Sequence, residues 1–211
     1  MANTNFTLGR ALLYIDPQQA IAYLEKGKVL ADRLVKEDSS ESIMKLWATG
    51  TYNLGLTFGY VGKHQKEPRF TEQTIPVVKK LGDSIFLANI YTNLGVKQLN
   101  LANHAEAYHN LIQGRTIYSA LENPPETTFN VIQLALAYEG LDSLDQMKNT
   151  LSQAEILFKK YPNIFDTFNL GLQQSQYFLR AKQPDEALKA LDSIAVFVQN
   201  DNNSVQYGLV M

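Results

Sequence analysis

Apolar residues recur at intervals of three and four along almost the whole chain, as in Ala107, Leu111, Gly114, Tyr118 and Leu121. That spacing gathers side chains onto one face of an α-helix. No stretch alternates in the manner of a strand. Between the periodic runs lie clusters with turn chemistry: Asp16-Pro17, Glu37-Asp38-Ser39-Ser40, Gly62-Lys63, Gly82-Asp83, Asn123-Pro124-Pro125, Tyr161-Pro162-Asn163 and Gln183-Pro184-Asp185. They predict helices over 4–14, 17–36, 41–61, 67–81, 83–101, 103–121, 126–140, 144–160, 164–181 and 184–199, with a further one starting near 204.

The helices repeat. Asn53, Asn93, Gln133 and Gln173 stand 40 residues apart. Each amide is followed by Leu54, Leu94, Leu134 or Gln174 and then by a small residue, Gly55, Gly95, Ala135 or Ser175. A second register runs through Ala20, Glu67, Ala107, Met147 and Ala187. Four residues later come Leu24, Thr71, Leu111, Leu151 and Leu191, and three beyond those Gly27, Thr74, Gly114, Ala154 and Ile194. A fixed period of this length is the mark of an array in which each unit packs on its neighbours. The expected architecture is all-α, a solenoid of about five antiparallel helix pairs forming one repeat domain over 1–211. Its units cover about 4–36, 41–81, 83–121, 126–160 and 164–199.

The columns have steric reasons. A small residue at 55, 95, 135 or 175 is expected where the first helix of a pair crosses the second, with Ala20, Ala107 and Ala187 answering from the other side. The second unit fits worst. Glu67 and Thr71 replace Ala and Leu, and Pro76 removes a helix donor and crowds the carbonyl four residues back, so a kink or an early stop is expected there. The first unit shows only its second helix in good register.

The small–small crossing, the fillers Phe58, Tyr138 and Phe178, and the Ala-x-x-x-Leu-x-x-small pattern resemble tetratricopeptide repeats over nearly the whole chain. The common unit is 34 residues long. A 40-residue unit with Asn-Leu-Gly at 53–55 and 93–95 resembles the lengthened variety of kinesin light chain and of bacterial sensor kinases and membrane-linked regulators. The resemblance implies a right-handed superhelix whose first helices line a concave, peptide-binding surface. It also implies a role as the sensing or interaction region of a bacterial signalling protein. Gln174 in place of Leu, and Gln98 where an aromatic is expected, depart from the pattern.

On that surface the candidate site is the amide column Asn53, Asn93, Gln133 and Gln173, since an amide offers both a donor and an acceptor to the backbone of an extended segment. Tyr52, Leu56, Tyr60, Val96, Asn100, Ile132, Leu136 and Arg180 are expected beside it. The lining is mostly uncharged, which suits an extended or helical peptide better than a clamp for a terminal carboxylate. The competing reading makes the amides solvated or internal struts and the chain a scaffold or self-association module.

Composition narrows the function further. Hydrophobic residues make up 45% and charged residues 19% of 211 positions, with a net charge of −2. This is enough apolar surface for a continuous core and no electrostatic footprint for a nucleic-acid backbone. Cysteine is absent. The histidines His64, His104 and His109 fall at turns or surfaces, and no triad, phosphate loop or zinc spacing stands out, so neither catalysis, cofactor nor metal is expected. Asp16, Asp142, Asp145 and Asp185 fall at turns and helix starts, where carboxylates cap free N–H groups. No run is long enough to span a membrane, and residues 1–5 lack the regions of a signal peptide. The compartment, cytoplasmic or periplasmic, is left open. Apolar residues in the last helix and in Val205, Tyr207, Leu209 and Val210 predict a fragment of a longer chain that self-associates through its C-terminal end.

Overall fold

The computed structural model describes residues 1–63, 67–121, 124–162 and 164–200. The described residues form ten α-helices and no strand: α1 Ala2–Leu12, α2 Pro17–Glu37, α3 Glu41–Tyr60, α4 Glu67–Leu81, α5 Ser84–Asn100, α6 His104–Ala120, α7 Pro124–Gly140, α8 Leu144–Lys160, α9 Ile164–Arg180 and α10 Pro184–Asn200. The expected boundaries hold to within two residues. His64, the helix expected from 204 and the apolar residues Val205, Tyr207, Leu209 and Val210 lie outside the described residues. The chain divides into two compact units, Met1–Leu87 and Ala88–Met211, with the boundary inside α5.

In the first unit α1 packs on α2, α2 on α3 and α3 on α4. Phe6, Ile21, Leu24, Ala31, Leu54 and Phe58 form its core with Ala2. The ring of Phe6 lies against Gly27 of α2 and Gly50 of α3, and a Cβ added at Gly27 would come within 2.7 Å of it. Missing side chains on two helices thus make the seat for an aromatic on a third. The register of α1 corrects the sequence reading. Gly9 meets the side chain of Leu24 and the carbonyl of Ala20, as Gly95 of α5 meets Leu111 and the carbonyl of Ala107. The first pair closes in the same way, but Gly9 stands 46 residues before Gly55 and Ala20 47 before Glu67, so a strict 40-residue ruler misses it.

Asp16 starts α2 by accepting from the Gln19 N–H at 2.9 Å, with Pro17 in the first turn where no donor is needed. The expectation of an early stop in α4 is overturned, because the helix runs through Pro76 to Leu81. Pro76 and Glu72, whose carbonyl loses its donor, are both exposed, whereas Thr71, Thr74 and Val78 are buried on the other side. The carbonyl left without its donor thus belongs to a residue on the solvent side, where water can reach it, and packing on the inner face keeps the helix together.

The second unit stacks α6 on α7, α7 on α8, and α8 and α10 on α9, while the first helices α7 and α9 also touch directly. Ala107, Leu111, Leu134 and Ala137 form one core cluster; Val131, Ile132, Ala135, Met147, Leu151, Ala154 and Leu170 form another. Gly55, Gly95, Ala135 and Ser175 are all buried, as the small-residue column requires. Leu191 departs from its column at 39% exposed.

A further period of 40 lies in the turns. Gly62, Ala102, Asp142 and Lys182 each adopt a left-handed conformation, with φ of 78°, 57°, 54° and 59°. The next residue in each case donates its N–H to the carbonyl five back: Lys63 to Phe58, Asn103 to Gln98, Ser143 to Tyr138 and Gln183 to Phe178, all within 2.9 Å. These are Schellman endings, in which one left-handed residue lets the chain reverse while it satisfies the last carbonyls of the first helix. Asp142, expected at a turn or helix start, is the left-handed residue of one of these turns.

Candidate functional site

In the first unit, Tyr52 is 5% exposed and packs edge-on against Phe86 at 5.5 Å, so its ring belongs to the interior and not to an open lining. Asn53 and Leu56 are half-buried, and the Asn53 carbonyl accepts from the Thr57 hydroxyl. Tyr60 is exposed, with its ring edge-on to Tyr14 at 5.4 Å.

In the second unit, Asn93 and Asn100 are exposed, and Val96 and Leu136 half-buried. Ile132 is wholly buried in the α7–α8 core, which corrects its expected place on the surface. Gln133 is also buried, and Gln173 is half-buried with an Oε1 that has no partner. Arg180 is engaged: its guanidinium pairs with the Asp142 carboxylate and donates to the Glu139 carbonyl at 3.2 Å. His104 begins α6 and is half-buried, its ring against Gly140, where any side chain would collide with it. It acts in packing more than on a free surface. Among the described residues, no group of three or more His, Cys, Asp or Glu is placed to hold a metal ion, and no helix is long and apolar enough to cross a membrane.

Of the expected residues of this unit, Asn93 opens onto a cavity of about 270 Å³ lined also by Asn89 and Thr92 of α5, Tyr118 of α6, Glu126 and Phe129 of α7, and Phe165 and Asp166 of α9. Thr92 lies on the face expected beside the amides, and sequence reasoning missed the other six. Their signal was the same period displaced along the helix, since Glu126 and Asp166 are 40 apart and Asn89 lies one turn before Asn93. The cavity thus sits toward the starts of the first helices, whereas the expected lining extended toward their ends.

Its floor is a directed chain of hydrogen bonds. Asn130, fully buried, donates from Nδ2 to Thr92 Oγ1 at 2.8 Å and to the Leu111 carbonyl at 3.1 Å. Thr92 is bonded in turn to the Tyr118 phenol, which donates to Asn89 Oδ1 at 2.5 Å. Gly114 makes this possible, because a Cβ there would lie 2.6 Å from Thr92 Oγ1 and 3.0 Å from Asn130 Nδ2. Burial pushes the Tyr118 pKa above its ordinary value; the Thr92 bond opposes the shift and the Glu126 carboxylate adds to it. The phenol is therefore a neutral donor at physiological pH. With Asn89 Oδ1 occupied, the Asn89 NH₂ is the end of that side chain with donor capacity to spare.

No protein-family model matches this sequence, and no curated protein matches it. Solved structures do. A putative kinesin light chain with nearly identical TPR-like repeats from Podosopora anserina is 16% identical, with a TM-score of 0.72 over 96% of this chain and 99% of that one. Aspartyl phosphate phosphatase F from Bacillus subtilis is 13% identical, with a TM-score of 0.77 over 95% of this chain, which spans 52% of that protein. PilF of Pseudomonas aeruginosa is 16% identical, with a TM-score of 0.61 over 99% of this chain and 89% of that one. At these identities the likeness is one of fold: this chain is an all-α helical repeat of the tetratricopeptide type.

Proposed function

We propose that this chain is a protein- or peptide-binding repeat module, the sensing or interaction region of a bacterial signalling protein, and has no catalytic role of its own. The observation that carries this reading is the α5–α7–α9 cavity, where the exposed Asn93 stands beside an Asn89 amide held in one orientation by Tyr118. An oriented amide beside an exposed one on the same helix suits the carbonyl and N–H groups of a bound backbone, which otherwise lose water without replacement. The bacterial setting rests on the resemblance of the lengthened repeat, since the fold is shared with fungal and bacterial proteins alike. Fluorescence anisotropy with labelled random hexapeptides tests it. Asn93→Ala is expected to weaken the selected binders by about 1–3 kcal/mol with little change in Tm. Unchanged affinity removes Asn93 from the site, and a large fall in Tm makes it structural.

A second reading, a scaffold that self-associates through its C-terminal end, is favoured by the outer face of α10. Leu188 is 60%, Leu191 39% and Val196 56% exposed there, within one arc of the helix. Sedimentation at rising concentration is expected to show dimers that Leu188→Glu with Val196→Lys abolishes. A monomer at every concentration rejects this reading.

A further inference from the structure

The cavity wall carries two carboxylates, Glu126 and Asp166, and no basic side chain. Both acids sit in the first turns of α7 and α9, where the positive end of the helix dipole offsets part of their charge. Glu126 also adds to the rise of the Tyr118 pKa, after burial. Glu126 is exposed at the opening, whereas Asp166 is 2% exposed.

Between the carboxylates stand two aromatic rings, Phe129 and Phe165, with centroids 5.5 Å apart and planes tilted by 43°. An aromatic face attracts a cation and tolerates the methylene stem that carries it. The volume of about 270 Å³ falls just under the roughly 300–1,000 Å³ of small-molecule and cofactor sites. It suits one long side chain. The α5 wall has the opposite polarity, because the Tyr118 bond to Oδ1 leaves Asn89 presenting N–H groups. The Asn89 donors on α5 and the Glu126 acceptor on α7 divide the cavity between a backbone carbonyl and a cation.

We propose that this cavity is the anchor site for a basic residue of the bound segment. A lysine or arginine side chain lies against Phe129 and Phe165 and meets Glu126, while the backbone carbonyl of the same residue accepts from Asn89. This rests on the peptide-binding reading above and adds which residue of the peptide is selected.

The test uses five pools of labelled hexapeptides whose third position is fixed as Lys, Arg, Glu, Leu or Gly and whose other positions are random. Binding is measured by anisotropy to the unaltered chain and to its Asn93→Ala, Glu126→Gln and Glu126→Asp variants. Glu126 is exposed, so its variants should fold, and circular dichroism checks that they do. The Lys and Arg pools are expected to bind at least several-fold tighter than the Leu pool and to weaken as salt rises. Glu126→Gln should cost these two pools roughly tenfold, Glu126→Asp should restore part of that, and the Leu and Gly pools should not respond. If the Glu or Leu pool binds best and depends on Asn93, the peptide site stands and the basic anchor is overturned. If no pool binds in an Asn93-dependent way, both are overturned.

Discussion

Tyr118 of α6 donates its phenolic proton to Asn89 of α5 across 2.5 Å, and this one bond joins the interior of a helix pair to the mouth of its cavity. The ring is 1% exposed and therefore well fixed. The amide it orients is half-buried and able to meet a ligand.

Tyr118→Phe keeps the ring and removes the donor. Stability to urea should fall by about 1 kcal/mol, the usual net value of a hydrogen bond whose acceptor can still find water. Affinity for a selected peptide should fall as well, by no more than Asn89→Ala lowers it, because the phenol acts through that amide. Combined in one chain, the two changes should cost no more affinity than Asn89→Ala alone. A deeper loss in the double variant would mean that the phenol meets the peptide itself, and full affinity in Tyr118→Phe would show that the orientation is irrelevant.

The four left-handed turns predict opposite effects from opposite substitutions. Ala102 carries a Cβ in a conformation that costs an L-residue about 1–2 kcal/mol, partly offset by the freedom glycine gains when unfolded, so Ala102→Gly should stabilise by about 0.5–1 kcal/mol. At Gly62 an added Cβ would meet no atom within 4 Å, so Gly62→Ala tests the backbone alone and should destabilise by about 1 kcal/mol. Denaturation midpoints read both. Two changes of the same sign would mean that the turns do not control closure of the pairs.

Lys45 of α3 pairs with Asp83 at 3.0 Å, and Asp83 also caps α5 by accepting from the Phe86 N–H at 3.1 Å. Burial by itself would raise the Asp83 pKa, but the bonds from Lys45 and Phe86 outweigh it and hold the carboxyl below its ordinary value. The bond to Asp83 likewise holds the Lys45 ammonium above its ordinary range. A depressed carboxyl contributes stability above its unfolded pKa, about 3.9, and loses it as pH falls through the folded value. A raised ammonium contributes below about 10.4 and loses it as pH rises through its folded value. Lys45→Met should therefore lower Tm between about pH 4 and 10, with the deficit fading toward both extremes and at 1 M salt. A deficit of constant size at pH 2 and pH 7 would assign the effect to packing.

The 40-residue period was legible because steric demand repeats whenever identical helix pairs stack. The small column at 55, 95, 135 and 175 and the buried run Ala107, Leu111, Gly114 follow from one-dimensional spacing, since a helix places residues three and four apart on one side. The first pair was not legible in full, because the six residues beyond a full period between Gly9 and Gly55 take Gly9 off the ruler while its contact with Leu24 is kept. Pro76 misled for a related reason. Propensity sees the missing donor, but the partner carbonyl lies on the water side, which only packing decides.

The sequence by itself determined the class of fold, the helix boundaries and the residue types that face inward, all of which depend on neighbours within one or two turns. It also offered Asn93 as one of twelve candidate site residues. Tertiary structure alone decided that Ile132 and Gln133 are buried while Asn93 is open, although Gln133 shares its column, because exposure depends on what the adjacent helices place over a position. The cavity was decided in the same way. Asn89, Tyr118, Glu126 and Phe165 come from four helices, and their meeting depends on the missing Cβ of Gly114, which leaves room for Asn130 to reach Thr92. Contacts of that kind are set by the distance between helix axes, a quantity that no periodicity along a single helix contains.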